Sequence, residues 1–234
     1  MKKVVIFSFA LFAGIVVFAQ KVTPSSNVIT EQRTVLNFSQ LAVFNGIEVV
    51  VVNANTERVE ISAPDNVVQF VETVVDKGVL NVRLRRGLKL RGSATIQVTV
   101  SAKSLNSISA VKSKVTFENT FTADRLTIHL DDASMSGHLA IQRGVITLVK
   151  KAKTDLAGAC ADLRLTLSGG STFGNTSFAA DVLDARLSKQ STARLTIIQS
   201  VNFVGSKGSK LHYLGNPLIR GIKASGDSGL MRAD

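Results

Sequence analysis

Along most of this chain apolar and polar residues alternate with a period of two, the pattern of half-buried β-strands. Ile47 to Val52, Val59 to Ile61, Val79 to Leu84 and Thr95 to Val100 are short runs rich in β-branched residues. Turn formers separate them at Asn53-Ala54-Asn55, Ala63-Pro64-Asp65, Asp76-Lys77-Gly78 and Arg86-Gly87. Asp65 or Asn66 is placed to cap one short helical turn through Val67, Val71 and Val74. The pattern predicts no long amphipathic helix.

After residue 104 the alternation repeats itself. It recurs as Leu126-Ile128-Leu130, Ile146-Leu148, Leu163-Leu165-Leu167, Leu183-Ala185-Leu187 and Val201-Phe203, with polar partners between. With Ala110, Leu130, Leu148, Leu167, Leu187 and Gly205 as equivalent positions, the steps are 20, 18, 19, 20 and 18 residues, a mean of 19. A few residues beyond each, a small or polar pair returns: Ser113-Lys114, Ala133-Ser134, Ala152-Lys153, Gly170-Ser171, Gln190-Ser191 and Gly208-Ser209.

That period is too short for a helix-pair repeat but suits one coil of short strands joined by tight turns, stacked at about 4.8 Å per rung. No Pro lies between Pro64 and Pro217, as expected where backbone N–H groups are needed in ladders. The expected fold is all-β: a right-handed parallel β-helix (β-solenoid, about 19 residues per rung) with an N-terminal β-rich region that caps or extends the first rungs. A sandwich with evenly spaced strands is the alternative. Expected boundaries are 1–19 signal peptide, 20–37 flexible leader, 38–104 N-terminal β-rich region, 105–217 repeats, and 218–234 a last rung or tail.

Several segments resemble a known family. Phe44-Asn45-Gly46-Ile47-Glu48-Val49 resembles its F-x-G-I-x-V strand, and Val71-Glu72-Thr73 with Lys77-Gly78-Val79-Leu80 its I-E-T…D-G-x-L segment. Leu105-Asn106-Ser107-Ile108 resembles the L-x-S-I that opens its repeats, and Tyr213-Leu214-Gly215-Asn216-Pro217 the Y-x-G-N-P that closes them. The Ser-bearing pairs are similar to its repeated A-S-G-A-S motif. The family is DUF2807, the auto-transporter adhesin, head GIN domain, found mostly in secreted or envelope proteins of Bacteroidetes. The resemblance spans roughly residues 38–225 and implies a β-helical fold and an envelope location; it carries over no catalytic residues and no cofactor. Lys114 and Lys153 stand where Ser is typical, and Gln190 where a small residue is.

The leader points to the same compartment. Lys2-Lys3, an apolar stretch from Val4 to Phe18 and Val17-Phe18-Ala19 before Gln20 form a signal-peptide pattern. The stretch is short for a membrane span, which needs roughly 20 residues, so the mature chain is not expected to be transmembrane. Localisation is therefore expected to be secreted, whether periplasm, outer surface or extracellular.

Charge sharpens the picture more than bulk composition does. The chain has 234 residues and a formal net charge of +11. Without residues 1–19 it keeps 26 Lys plus Arg against 17 acids. Two residues past the equivalent positions lie Lys112, Asp132, Lys150, Gly169, Lys189 and Lys207, which stacking would align as one outer column. A second cluster, Lys77, Arg83, Arg85, Arg86, Lys89 and Arg91, has no carboxylate within its fifteen residues. Within the roughly 8 Å Debye length of physiological salt such neighbours reinforce one another. The partner such surfaces suggest is an anionic polymer, such as lipopolysaccharide or acidic polysaccharide; the alternative is a solvated face that keeps solenoids from sticking to each other. Nucleic acid is not expected, because aromatic residues for base stacking are lacking.

Catalytic patterns are weak. His129, His138 and His212 lack metal-ligand spacing, and no nucleophile or phosphate-loop motif occurs. Asp131, Asp132 and Asp155 fall at unequal offsets, and Asp162, Asp181 and Asp184 lie at turns and strand edges, so paired carboxylates for glycoside cleavage are not expected. The function expected is a non-enzymatic surface-binding protein. A carbohydrate-active enzyme and a self-associating envelope scaffold are the alternatives, and the oligomeric state is open.

Overall fold

The computed structural model describes residues 20–233. The segment read as a signal peptide lies outside them. The N-terminal part contains β1 (Gln20–Val22), β2 (Val28–Arg33), β3 (Gln40–Phe44), β4 (Glu48–Asn53), β5 (Arg58–Pro64), α1 (Asp65–Val68), β6 (Val71–Asp76), β7 (Val79–Leu84), β8 (Leu88–Leu90) and β9 (Gln97–Ala102). The repeats follow as β10 (Ser107–Val111), β11 (Lys114–Phe117), β12 (Phe121–Asp131), β13 (Ser134–Val149), β14 (Lys153–Leu167), β15 (Thr172–Leu187), β16 (Thr192–Gly205), β17 (Lys210–Leu214), β18 (Leu218–Ala224) and β19 (Gly229–Arg232).

These strands build a β-solenoid of about 7 turns with rungs about 19 residues apart. The six positions aligned by period form one parallel ladder, Ala110 to Leu130, Leu148, Leu167, Leu187 and Gly205. The ladder continues at both ends, through Val43 and Val82 on one side and Ala224 on the other. Alternation sets its inward face: Leu126, Ile128 and Leu130 on one rung and Leu163, Leu165 and Leu167 two rungs on are all buried. Where a bulky neighbour fills the space the column narrows. At Gly205 a Cβ would meet the Phe203 ring at 2.5 Å.

The chain enters this stack at its second rung. β3 lies between β7 and β10, and β4 between β9 and β11. After making β3 and β4 the chain runs outward to build the end, then crosses back to continue with the repeats. The end itself is closed by antiparallel strands: β5 on β9, β2 on β5 and β6 on β7. Covering an edge in this way removes a template for uncontrolled strand addition. The N-terminal region therefore both extends and caps the solenoid.

Two local expectations are corrected. Residues 20–37, expected as a flexible leader, contain two strands; β1 pairs with β8, and β2 with β5. The segment is tied down at Asp65 and Asn66. The Asp65 carboxylate accepts from Ser25 Oγ (2.5 Å) and Asn27 Nδ2 (2.9 Å), while Asn66 Nδ2 donates to the Thr23 carbonyl (2.9 Å). These hydroxyl and amide donors hold the Asp65 pKa below its ordinary value. The helical turn spans only Asp65–Val68 and is preceded by Pro64 without a side-chain cap; Val71 and Val74 belong to β6. Asp65 serves the leader instead of the helix.

Residues 218–233 form a final rung, β18 on β16 and β19 on β17. Ile219 and Ile222 pair with Val201 and, one residue off, Phe203, continuing the buried side, yet they stand 45% and 50% exposed on this last rung. Cys160 is buried in the core, where desolvation pushes its thiol pKa up to about 11.

Candidate functional site

From the rung of Asn45 onward, each rung turns one corner with left-handed backbone. Asn45, Lys112, Asp132, Lys150, Gly169, Lys189, Lys207 and Gly226 all have φ between +49° and +72°. These are the positions two residues past the ladder, so the predicted lysine column coincides with this corner. Its members are fixed by hydrogen bonds from rung to rung: Lys112 N–H donates to Asp131 O (2.9 Å), Lys151 N–H to Gly169 O (2.9 Å) and Gln190 N–H to Lys207 O (2.9 Å). Successive corners are therefore about 4.8 Å apart. Lys112, Lys150 and Lys189 follow at two-rung intervals, and Lys207 lies one rung further. All four are exposed or partly exposed.

The Ser-bearing pairs have a structural task at the same corner. Ser171, Ser191 and Ser209 are fully buried, and each hydroxyl donates to the carbonyl three residues earlier, Ser168 (2.7 Å), Ser188 (2.8 Å) and Ser206 (2.9 Å). The bond spans the left-handed pair and locks the turn.

Corner length is not uniform. In six rungs two consecutive residues are left-handed: Asn45-Gly46, Lys150-Lys151, Gly169-Gly170, Lys189-Gln190, Lys207-Gly208 and Gly226-Asp227. At Lys112 and Asp132 only one is, and the next strands begin one residue sooner, at Lys114 and Ser134. Those two corners are each one residue shorter, and a notch of about 520 Å³ is lined by them and by residues from Gly46 to Lys153. Lys114, Lys151 and Lys153 at its walls are not members of the column that the sequence offset picks out. The change from three to two residues between column and strand is the signal that marks them.

The second basic cluster meets the same edge. Arg83, Arg85 and Arg86 border a recess with Phe44 and Asn45, the corner residue next to Lys112 in the ridge. The cluster is not free of carboxylate in space, as it is in sequence. Lys77-Gly78 forms a two-residue turn with both φ positive, which sets Glu72 opposite Arg83. Arg83 Nε lies 2.9 Å and Arg85 Nε 3.9 Å from the Glu72 carboxylate, and Arg85 also covers the Phe70 ring at 5.3 Å. Arg86, Lys89 and Arg91 are exposed; Lys89 lies in β8 and the Arg91 N–H donates to Val22 O. On the ridge, Lys150 pairs with Asp131 at 2.7 Å and Lys114 with Glu48 at 3.5 Å. These are exposed contacts and leave the ammonium groups available to solvent.

Besides Glu48, Asp131 and Asp132 on the ridge, other acids lie away from it. Asp155 accepts from Asn175 Nδ2 (2.9 Å), and Asp124 and Asp162 border one shallow recess with Gln142 and Arg143 between them. Among the described residues no group of three or more His, Cys, Asp or Glu is placed to hold a metal ion, and no helix is long and apolar enough to cross a membrane. His129 and His138 are exposed on successive strands, β12 and β13. His212 is half-buried, and desolvation, then Arg194 and Lys210, holds its pKa below the ordinary value.

Fold and edge together define a capped β-solenoid with one basic corner ridge. The chain belongs to the DUF2807 family, described as "Putative auto-transporter adhesin, head GIN domain", whose model matches residues 37–217. No curated protein matches it in sequence. Among solved structures it is similar to a putative adhesin from Bacteroides fragilis, at 19% identity and a TM-score of 0.81, covering 91% of this chain and 100% of that one. A putative adhesin from Parabacteroides merdae aligns at 14% identity and a TM-score of 0.77, over 92% of this chain and 100% of that one. A protein from Parabacteroides distasonis described as a "Putative lipid binding protein" aligns at 11% identity and a TM-score of 0.68, over 92% of this chain and 100% of that one. At these identities the likeness concerns the fold. The adhesin-type family points to a surface or secreted protein.

Proposed function

We propose that this chain is an exported, non-enzymatic binding module whose basic ridge engages anionic surface glycans, such as lipopolysaccharide phosphates or acidic polysaccharide. One observation carries the reading. Four lysines occupy left-handed corner positions in a single column. Backbone conformation there favours Gly, Asn or Asp, and other residues cost roughly 1 kcal/mol each. Neither packing nor turn chemistry selects Lys at such a site, whereas a repeating cationic edge does use it.

The rigid ladder supports the same reading. It spaces Lys112, Lys150 and Lys189 at about 10 Å, two rungs each, on the order of one disaccharide of an extended chain. Arg85 and Arg86 lengthen the edge beyond Asn45. The test is binding of lipopolysaccharide and acidic glycans at two salt concentrations, with Lys112, Lys150, Lys189 and Lys207 all changed to Glu. The wild type should bind more weakly at high salt and the variant should not bind. Unchanged, salt-insensitive binding by the variant refutes the ridge as the contact. Release of reducing sugar from the same glycans would instead establish an enzyme.

A further inference from the structure

We propose that the notch over the two short corners is a discrete pocket for a single sugar carrying a phosphate or sulfate ester. The proposal rests on the reading that the ridge binds anionic glycans, and assigns one place on it a one-to-one site. The notch coincides with the missing second left-handed residue at Lys112 and Asp132, where two adjacent corners are one residue shorter than those at Asn45-Gly46 and Lys150-Lys151. It is an open notch two rungs wide, about 10 Å, with a volume of about 520 Å³.

The floor is small and fixed. Ser113 and Ala133 are buried, and the Ser113 hydroxyl is already committed to the Val111 carbonyl at 2.9 Å. Ser134 lies between Lys114 and Lys153 in the ladder, facing outward from the middle of the notch while Met135 beside it points into the core. Lys112 and Lys114 stand on one side and Lys151 and Lys153 on the other, with Glu48 and Asp132 among them. Four ammonium groups against two carboxylates favour an oxyanion. The carboxylates accept only, so they repel a bare anion yet take hydrogen bonds from sugar hydroxyls. The mixture selects an esterified sugar over an inorganic ion.

Titration calorimetry of the mature protein with glucose 6-phosphate, glucose 6-sulfate and the inorganic phosphate and sulfate ions tests this. The expected result is saturable one-to-one binding of at least one ester, about tenfold or more tighter than its ion. Ser134→Trp fills the notch without changing charge and should weaken ester binding at least tenfold while the ridge still retains polymeric glycan. Asp132→Asn keeps a residue suited to left-handed backbone and should narrow the preference for ester over ion. Equal affinity for ester and ion would mean that the notch holds an adventitious anion, and the sugar assignment falls. Wild-type ester affinity in Ser134→Trp, or no ester binding by the wild type, overturns the notch but leaves the ridge reading standing; loss of polymer binding is the failure of that reading.

Discussion

Two columns run along the solenoid only two residues apart, and they obey different rules. The inward column, Ala110, Leu130, Leu148, Leu167 and Leu187, is filled by size, because each side chain is buried against the rung above and below. The corner column, Lys112, Asp132, Lys150, Gly169 and Lys189, is set by backbone conformation, since each residue is left-handed. Asp and Gly answer that demand, and Lys does not. The comparison teaches where to look for function in a repeat protein: at positions that the repeat places accurately but whose residue type the fold does not explain.

The sharpest break between the columns is energetic. Leu148→Ala leaves a cavity in a closed stack and should cost about 2–5 kcal/mol, while Lys150→Ala should stay within about 0.5–1 kcal/mol despite the Asp131 contact; equilibrium denaturation of both variants measures the contrast. Next in size is Gly158→Ala. Gly158 has φ +112° and a Cβ there would overlap the Leu139 carbonyl oxygen on the previous rung, so a loss of roughly 1–3 kcal/mol or more is expected. On the ridge the sign reverses: Lys189→Asn should raise stability by about 1 kcal/mol, read as a higher denaturation midpoint.

Smaller effects follow the titrating groups. With its pKa raised to about 11, Cys160 stays a thiol at pH 8, so iodoacetamide should label it only after unfolding. In the unfolded chain it ionises near pH 8.5, so its contribution to stability is lost as pH rises above that value. His212 behaves oppositely. Its native pKa lies below the unfolded value of about 6.5, so the unfolded state takes up the proton first and stability falls slightly on acidification below that pH. His212→Gln should flatten this part of the stability–pH curve.

The inward ladder is legible in the amino-acid sequence, because a fixed period aligns Ala110 with Gly205 without knowledge of the path between them. The start of the solenoid is not. Val43 pairs with Val82 and with Ala110, and nothing local in β3 records that its two neighbours come from later in the chain. The leader reads as mobile because Pro24 and its polar neighbours carry no strand pattern, while their partners Asp65 and Asn66 lie about 40 residues away. The lysine column is visible as an offset, but its left-handed backbone is advertised only where Gly, Asn or Asp occupies a corner, as in Asn45-Gly46, Asp132, Gly169-Gly170, Gly208 and Gly226-Asp227. The Glu72 contact with the arginines is encoded in the Lys77-Gly78 turn, whose length fixes the register.

The most direct measurement is on one variant in which Lys112, Lys150, Lys189 and Lys207 are all replaced by Asn, assayed for denaturation and for binding to acidic glycan and lipopolysaccharide at low salt. Asn suits the corner and carries no charge, so the variant should be more stable than the wild type while glycan binding is lost. Greater stability with undiminished binding would contradict the claim that these lysines are held at the corner for an anionic partner.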